Sequence, residues 1–418
     1  MSRLSAGTVW YLYETVATFA SSLVFTVAAV YFVTELHLSP LQLVLTGTAM
    51  ELAVFVFEVP TGIVADVYSR RLSIIVGTAI MGLAFVLVAL AGSAPAVLAA
   101  YAVWGFGYTF TSGAMDAWLA DEVGDARLTH VYLRGAQVSR VAGLAGIAAS
   151  VGLATIDLRL PILVGGLLTV GEAILYLLVM PETGFAPLPR GERSSFGQMA
   201  HTGKEGVRLV RARPALLAVL GIAAFVGMWS EGFDRLWQAH FLEIGLPGIG
   251  GLDPIVWFGI FGAGTTLLAI VVAHPLGQRL KNGDRESMVR TVLRLDTVLL
   301  VSAVAFGLAG VFWLAVVAYF ATQLVRNIAA PIFAAWLNRS VEDSSVRATV
   351  LSITNQADAI GQWTGGPAVG VVGNVFSIRA ALVTGGLCMA PALALFRTAM
   401  RRQRDEDGRG VPQPEGTA

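Results

Sequence analysis

Long apolar runs, broken at intervals by Pro, Gly and clustered charge, dominate this chain from end to end. A helix rises about 1.5 Å per residue, so a run of roughly 20 apolar residues matches the hydrocarbon thickness of a bilayer. The runs predict twelve spans, near 8–34, 40–61, 72–92, 95–119, 131–154, 159–180, 214–242, 253–276, 287–309, 311–336, 347–371 and 378–400. They are too long for barrel strands of about ten alternating residues, and in hydrocarbon each segment must satisfy its own backbone donors. The expected fold is all-α and integral to the membrane.

The cations orient the bundle. Placing the amino terminus in the cytoplasm collects Arg70, Arg71, Arg127, Arg190, Arg193, Lys204, Arg208, Arg279, Lys281, Arg339 and Arg401 on that side. The other side keeps only Arg159 and Arg379. By the positive-inside rule both termini are expected in the cytoplasm.

Composition narrows the function. With 56% hydrophobic and 13% charged residues, mean hydropathy +0.70 and zero net charge, the 418 residues leave no room for a sizeable water-soluble domain or a basic nucleic-acid footprint. The one cysteine, Cys388, excludes an internal disulfide framework and a cysteine-based zinc site. No nucleotide-loop or zinc-protease motif occurs, so neither an enzyme, a cofactor nor a metal is expected. The first apolar run exceeds a signal-peptide core and is expected to stay as a span.

A Pro-, Gly-, Ser- and charge-rich connector, residues 181–213, divides the chain near its middle. It separates an amino-terminal bundle, 1–180, from a carboxy-terminal bundle, 214–400, with a disordered cytoplasmic tail expected over 401–418. Phe196, Met199, Val207 and Val210 suggest a short interfacial helix within the connector. Two echoes link the halves. Ala117-Trp118-Leu119 recurs as Ala335-Trp336-Leu337, and Pro60-Thr61-Gly62 as Pro275-Leu276-Gly277, at offsets of 218 and 215 positions. Parallel six-span repeats are a transporter plan.

The stretch after the second span reads Gly62-Ile-Val-Ala-Asp66-Val-Tyr-Ser-Arg70-Arg71. Gly62 is expected to allow a tight helix exit, with Asp66 and the arginines bonded across a short loop. This pattern, in a twelve-span chain, resembles the signature loop of the major facilitator superfamily. Phe57-Glu58-Val59-Pro60-Thr61-Gly62, Asp116-Ala117-Trp118-Leu119-Ala120-Asp121 and Glu231-Gly232-Phe233-Asp234-Arg235-Leu236-Trp237 resemble its drug:proton antiporter branch, the macrolide- and tetracycline-type efflux proteins. The fourth span departs from that branch in lacking an arginine, and the fifth has Gly143, Gly146 and Gly152 but no proline. A similar string, Gly361 to Gly370 with Pro367, occurs in the eleventh span, where it suits either close packing or a gating hinge. The resemblance implies two pseudo-symmetric six-helix bundles that rock about a central cavity, and a gating motif of Gly62, Asp66, Arg70 and Arg71 with Asp116 and Asp121 as arginine partners.

A charge near the bilayer centre costs about 2.5 to 3.5 kcal/mol on insertion scales, so each one asks for a partner or a wet cavity. The spans carry Glu14, Glu51, Arg140, Glu172, Glu231, Asp234, Arg235, Arg294, Asp296, Arg326 and Asp358. A carboxyl that loses water holds its proton, and an approaching arginine releases it, so such a group can couple proton movement to a conformational change. The resemblance places the first, fourth, seventh and tenth spans around the cavity and the second, fifth, eighth and eleventh on its flanks. It thereby favours Glu14, Glu51, Glu231, Asp234 and Asp358 as proton-coupling residues and disfavours Glu172, Arg294 and Asp296. Arg140, Arg326, Asn327, Asn355, Trp229, Trp363 and Phe110 are candidate cavity residues, while Glu231 and Arg235, four apart, can equally form an ion pair. Trp10 and Trp336, at span ends, are expected as interface anchors.

The sequence thus predicts a proton-coupled exporter of a hydrophobic, drug-like or natural-product molecule, monomeric, in a bacterial plasma membrane, with the substrate, protons and lipid as its partners. An uptake symporter for a nutrient or organic anion, with Arg140 and Arg326 paired, and a non-transporting receptor or scaffold are the alternatives.

Overall fold

The computed structural model describes residues 3–186, 214–280, 285–340 and 344–398. The expected interfacial helix at Phe196 to Val210 and the tail 401–418 lie outside the described residues. The first half contains α1 (Ala6–Thr34), α2 (Pro40–Val67), α3 (Arg70–Leu90), α4 (Ala94–Thr111), α5 (Ala114–Val123), α6 (Asp125–Ala154) and α7 (Arg159–Val179). The second contains α8 (Pro214–Ile244), α9 (Val256–Leu268), a π turn (Ala269–Ala273), α10 (His274–Leu280), α11 (Arg285–Leu308), α12 (Phe312–Ser340), α13 (Ser344–Val375) and α14 (Ile378–Leu387), with further helix over 390–398. Ten of the spans are long and apolar enough to cross a membrane. The remaining two, α4 with α5 and α13, are equally helical; the first is interrupted at Gly113, and the second carries Asn355, Gln356, Asp358 and Gln362 along its middle.

The two halves repeat one packing scheme. Helix α1 packs on α6, α3 on α7 and α3 on α4; α8 packs on α13, α11 on α14 and α11 on α12, which are the same positions six spans later. The sequence echoes fall at equivalent points of this scheme.

Several helix ends differ from expectation. The second span does not exit at Gly62 but stays helical to Val67, leaving Tyr68 and Ser69 as the turn. Within it Pro60 withholds an N–H, and the hydroxyl of Thr61 donates to the carbonyls of Phe57 and of Thr109, which ties α2 to α4 at that point. The fourth span breaks at Gly113, whose φ of 70° suits a glycine, and resumes as α5. Trp10 and Trp336 are not surface anchors. They are 5% and 2% exposed, Trp10 lying between Tyr13 and Tyr132 and against Gly135, and Trp336 against Phe333 and Phe396.

The apolar core is continuous at one end of the bundle and divided at the other. At the end away from the α2–α3 turn, a single cluster joins Val27, Tyr31, Val44 and Phe85 of the first half to Trp229, Phe233, Phe241 and Phe306 of the second. At the α2–α3 end, hereafter the arginine face, the halves keep separate cores. One is built on Trp10, Ile74, Trp118 and Tyr176, the other on Val219, Met288, Ile332 and Trp336. The bundle is therefore closed on the far face and parted on the arginine face.

Candidate functional site

The turn between α2 and α3 is tied into the first half by charge-assisted bonds. Ser69 caps α3 by accepting from the N–H of Leu72 at 2.9 Å and donates its hydroxyl to Glu182. Arg70 bonds the carboxylate of Asp121 on α5, donates to the carbonyl of Ala117 at 3.0 Å, and lies 3.7 Å from Asp66. Arg71 donates through its backbone to Glu182 and through its guanidinium to the carbonyl of Leu177, at 2.9 and 2.6 Å. Asp116 has no arginine partner among the described residues and instead accepts from the hydroxyl of Tyr132 at 2.9 Å. Gly62 is mid-helix with open space at its Cβ position, so it supplies no turn. Residues following α7 join the clamp, since Trp118 donates to the carbonyl of Pro181 and Glu122 accepts from Thr183 and Gly184.

Closure on the far face depends on glycine. On α13, Gly366, Gly370 and Gly373 form a stripe against α2. A Cβ at Gly373 would stand 2.6 Å from Cβ of Pro40, and one at Gly366 would stand 3.0 Å from Val44. Gly361 and Gly365 of the same string face α8 instead, against Ala224 and Met228, and α13 runs through Pro367 without a break. In this state the string acts as a close-packing surface. Two polar bonds seal the seam: Asn374 accepts from the N–H of Leu41 at 2.9 Å, and Gln238 donates to the carbonyl of Thr26 at 2.9 Å.

The charged pair of α8 is part of that seam. Glu231, 3% exposed, accepts from Nε of Arg235 at 3.0 Å, and both press on α2 at Gly47, where any Cβ would collide with them. Three residues on, Asp234 leaves the seam. Both of its oxygens accept from Arg326 of α12, at 2.6 and 2.8 Å, while the guanidinium lies 5.4 Å above the ring of Trp229.

Cavities occupy the space that the seam leaves. One of about 550 Å³ lies between the halves, with Tyr13, Glu14, Thr18 and Phe25 of α1 facing Trp237, Gln238, Phe258, Tyr319 and Gln323. Glu14 is the only charged residue lining it among the described residues. A neighbouring cavity of about 390 Å³ shares Thr265 and Thr266 with it and is bounded by Arg140, His274, Gln278 and Asn327. The largest of these four, about 950 Å³, separates α2 and α4 from α13 toward the arginine face. Glu51, Glu58, Asp66, Trp104 and Tyr108 line one side, and Asn355 and Gln356 the other. A fourth, about 290 Å³, lies inside the second half and includes Trp229, Asp296, Arg326, Asn355 and Asp358.

The structure therefore distributes the sequence candidates rather than gathering them. Glu14 reaches the central cavity, Glu51 the largest one, and Asp358 and Trp229 the cavity within the second half. Arg140 and Arg326 line different cavities and are not paired with each other, because Arg326 is engaged by Asp234. Phe110 does not line any of the four cavities: its Cβ faces α3, where a Cβ at Gly77 would stand 2.7 Å away. On that helix the cavity aromatics are Trp104 and Tyr108, stacked at 5.6 Å. Trp363 packs on Phe55 of α2, 6.0 Å between ring centres. Glu172 accepts from Tyr176 in a buried pair, as suits a peripheral helix. Asp296, although also on a peripheral helix, lines a cavity. Residues that sequence reasoning passed over include Gln238, Gln323 and Tyr319; the glutamines carried a signal as amides in apolar spans.

Comparison with known proteins fits this architecture. The family profile described as Major Facilitator Superfamily matches residues 11–293. An uncharacterized MFS-type transporter of Bacillus subtilis (strain 168), YxaM, is 22% identical over 383 residues, covering 88% of this chain and 89% of the relative. Among solved structures, the nucleoside transporter NupG superposes with a TM-score of 0.77 at 13% identity, covering 95% of this chain and 100% of that one. A bacterial homologue of the human lysosomal transporter Spinster, inward-facing and unoccupied, gives 0.75 at 15% identity, with 98% of each chain covered. At such identities the structures share a fold.

Proposed function

The chain belongs to the major facilitator superfamily and is a multi-pass membrane transporter, and from that premise we propose that it is a proton-coupled exporter of an apolar, drug-like or natural-product molecule. One observation carries the reading: a cavity of about 550 Å³ between the halves, walled by Tyr13, Phe25, Trp237, Phe258 and Tyr319, with Glu14 as its single charged lining residue among the described residues. That volume is within the range of small-molecule sites, about 300 to 1,000 Å³. Aromatic walls take an apolar body, Gln238 and Gln323 orient its polar atoms, and a lone carboxylate accepts either a proton or a basic amine on the substrate.

With the arginine face cytoplasmic, as the positive-inside rule directs, this state is open inward and loads substrate from the cytoplasm or inner leaflet. Closing the inner side would bring Glu51 and Glu58 toward α13, and opening the outer side would uncover the Glu231–Arg235 pair at Gly47. Proton occupancy of Glu14 and Glu51 then alternates with substrate, and export follows the inward proton gradient. An anion-uptake reading draws on Arg140 and Asn327 in the adjoining cavity; it is weakened because Arg326 is neutralised by Asp234.

The test uses everted membrane vesicles given labelled macrolides, tetracyclines and lipophilic amines under an imposed proton gradient. Accumulation that a protonophore and Glu14→Gln both abolish is expected. Gradient-driven uptake into right-side-out vesicles instead would reverse the direction.

A further inference from the structure

Asp296 sits near the middle of α11, on the face that also carries Val292 and Leu299, and all three line the cavity inside the second half. It is 6% exposed, and no hydrogen bond or ion pair reaches it among the described residues. An isolated charge so placed is costly. The charges facing it offer little relief. Asp358 lines the same cavity from α13 and accepts from Gln362 at 2.7 Å, while Arg326, from α12, commits both terminal nitrogens to Asp234 of α8. The other helix packed on α11, α14, brings only Arg379, which lies at the far end and donates to the carbonyl of Leu308. Two carboxylates thus line the cavity beside one guanidinium that is already bonded to Asp234, leaving the cavity short of positive charge.

The cavity does not stand alone. Asn355 lines both it and the large cavity that opens on the arginine face, so the two cavities adjoin at that side chain, with Asp358 and Asp296 on the inner side. At about 290 Å³ it has room for several waters of about 30 Å³ each, enough for a hydrated ion or a proton relay.

We propose that Asp296 and Asp358 form a binding site for one monovalent cation, a proton or Na⁺, inside the second half and apart from the central substrate cavity. This deepens the coupled-transport reading and rests on it. The cation enters from the arginine face while the bundle is parted there, and its charge compensates Asp296. This cation, unlike the proton on Glu14, therefore sits in a different cavity from the substrate, and the two sites communicate through α8 and α12, which border both.

The experiment uses the purified full-length protein in detergent. Proton uptake after an acid pulse is read with an indicator dye in weak buffer, and ²²Na⁺ binding by scintillation proximity against choline as the control salt. If the occupant is a proton, wild type takes up one more proton per chain than Asp296→Asn, with Na⁺ making no difference. If it is Na⁺, saturable ²²Na⁺ binding weakens roughly tenfold or more in the variant. Either result supports the site. Equal proton uptake and equal ²²Na⁺ binding in wild type and variant overturn it. Should Asp296→Asn not fold, Asp296→Glu serves: a displaced uptake midpoint or altered Na⁺ affinity supports the site, and unchanged values overturn it. Neither assay needs transport, so loss of flux with ion binding retained would count against export alone.

Discussion

Arg326 of α12 grips both carboxylate oxygens of Asp234 of α8, at 2.6 and 2.8 Å, and so joins two central helices of the second half. Both side chains are more than a third exposed, so solvent screens the pair, and its contribution to stability is about 1 to 2 kcal/mol. Asp234→Asn and Arg326→Gln are expected to remain folded, with modestly lowered thermal midpoints, but to lose most flux. Exchanging the two residues should recover the midpoint more than the flux, which a thermal-shift assay beside vesicle transport would reveal.

Gly47 is where α2 meets Glu231 and Arg235, and a side chain there would have to displace the carboxylate and guanidinium of that ion pair from the closed far face. Gly47→Val should therefore hold the two halves apart on that side. Spin labels on the α1–α2 and α8–α9 connectors would report loss of the short-distance population, accompanied by background-level transport. A wild-type distance distribution would show that the contact is dispensable.

Arg70 serves several acceptors at once: Asp121, the carbonyl of Ala117 and, more weakly, Asp66. Removing it as Arg70→Ala should cost about 1 to 3 kcal/mol and loosen the first half. Arg70→Lys keeps the charge without the planar fork, so it is expected to fall between the two. Thermal unfolding of the three proteins, read at low and high salt, orders them.

Accessibility can be read directly because Cys388 is the sole cysteine. In a Cys388→Ser background, Glu58→Cys faces the large cavity and His37→Cys the far surface. An impermeant maleimide should label Glu58→Cys only from the arginine face and His37→Cys only from the other. Labelling in intact cells against everted vesicles would then fix which face is cytoplasmic, with His37→Cys expected to react outside.

Glu14→Gln removes the charge that lines the central cavity among the described residues while keeping the side chain's shape. Expected are loss of gradient-driven accumulation and survival of substrate-for-substrate exchange, measured by counterflow. Loss of both would assign Glu14 to substrate binding rather than coupling.

Much of the architecture was legible beforehand. Apolar run length set the helices, and the paired echoes at Trp118 and Trp336 set the two halves, since bilayer thickness and backbone satisfaction leave few options. The Gly62–Arg71 stretch announced a charged clamp, yet its partners, the carbonyl of Leu177 near the end of α7 and Glu182 just beyond it, lie more than 100 positions on and could not be read from local spacing. Asp296 illustrates the converse. Its helix is peripheral in topology, but helix rotation turns its face inward onto a cavity. Phe110, on a cavity helix, turns away toward α3.

By itself the sequence determined a twelve-span bundle in two halves and the set of charges that hydrocarbon must accommodate. Those follow from one-dimensional quantities, run length and composition. The tertiary structure decided which charges pair and which face space, and on which side the halves meet. These depend on helix rotation and on contacts between residues hundreds of positions apart, such as Leu41 with Asn374.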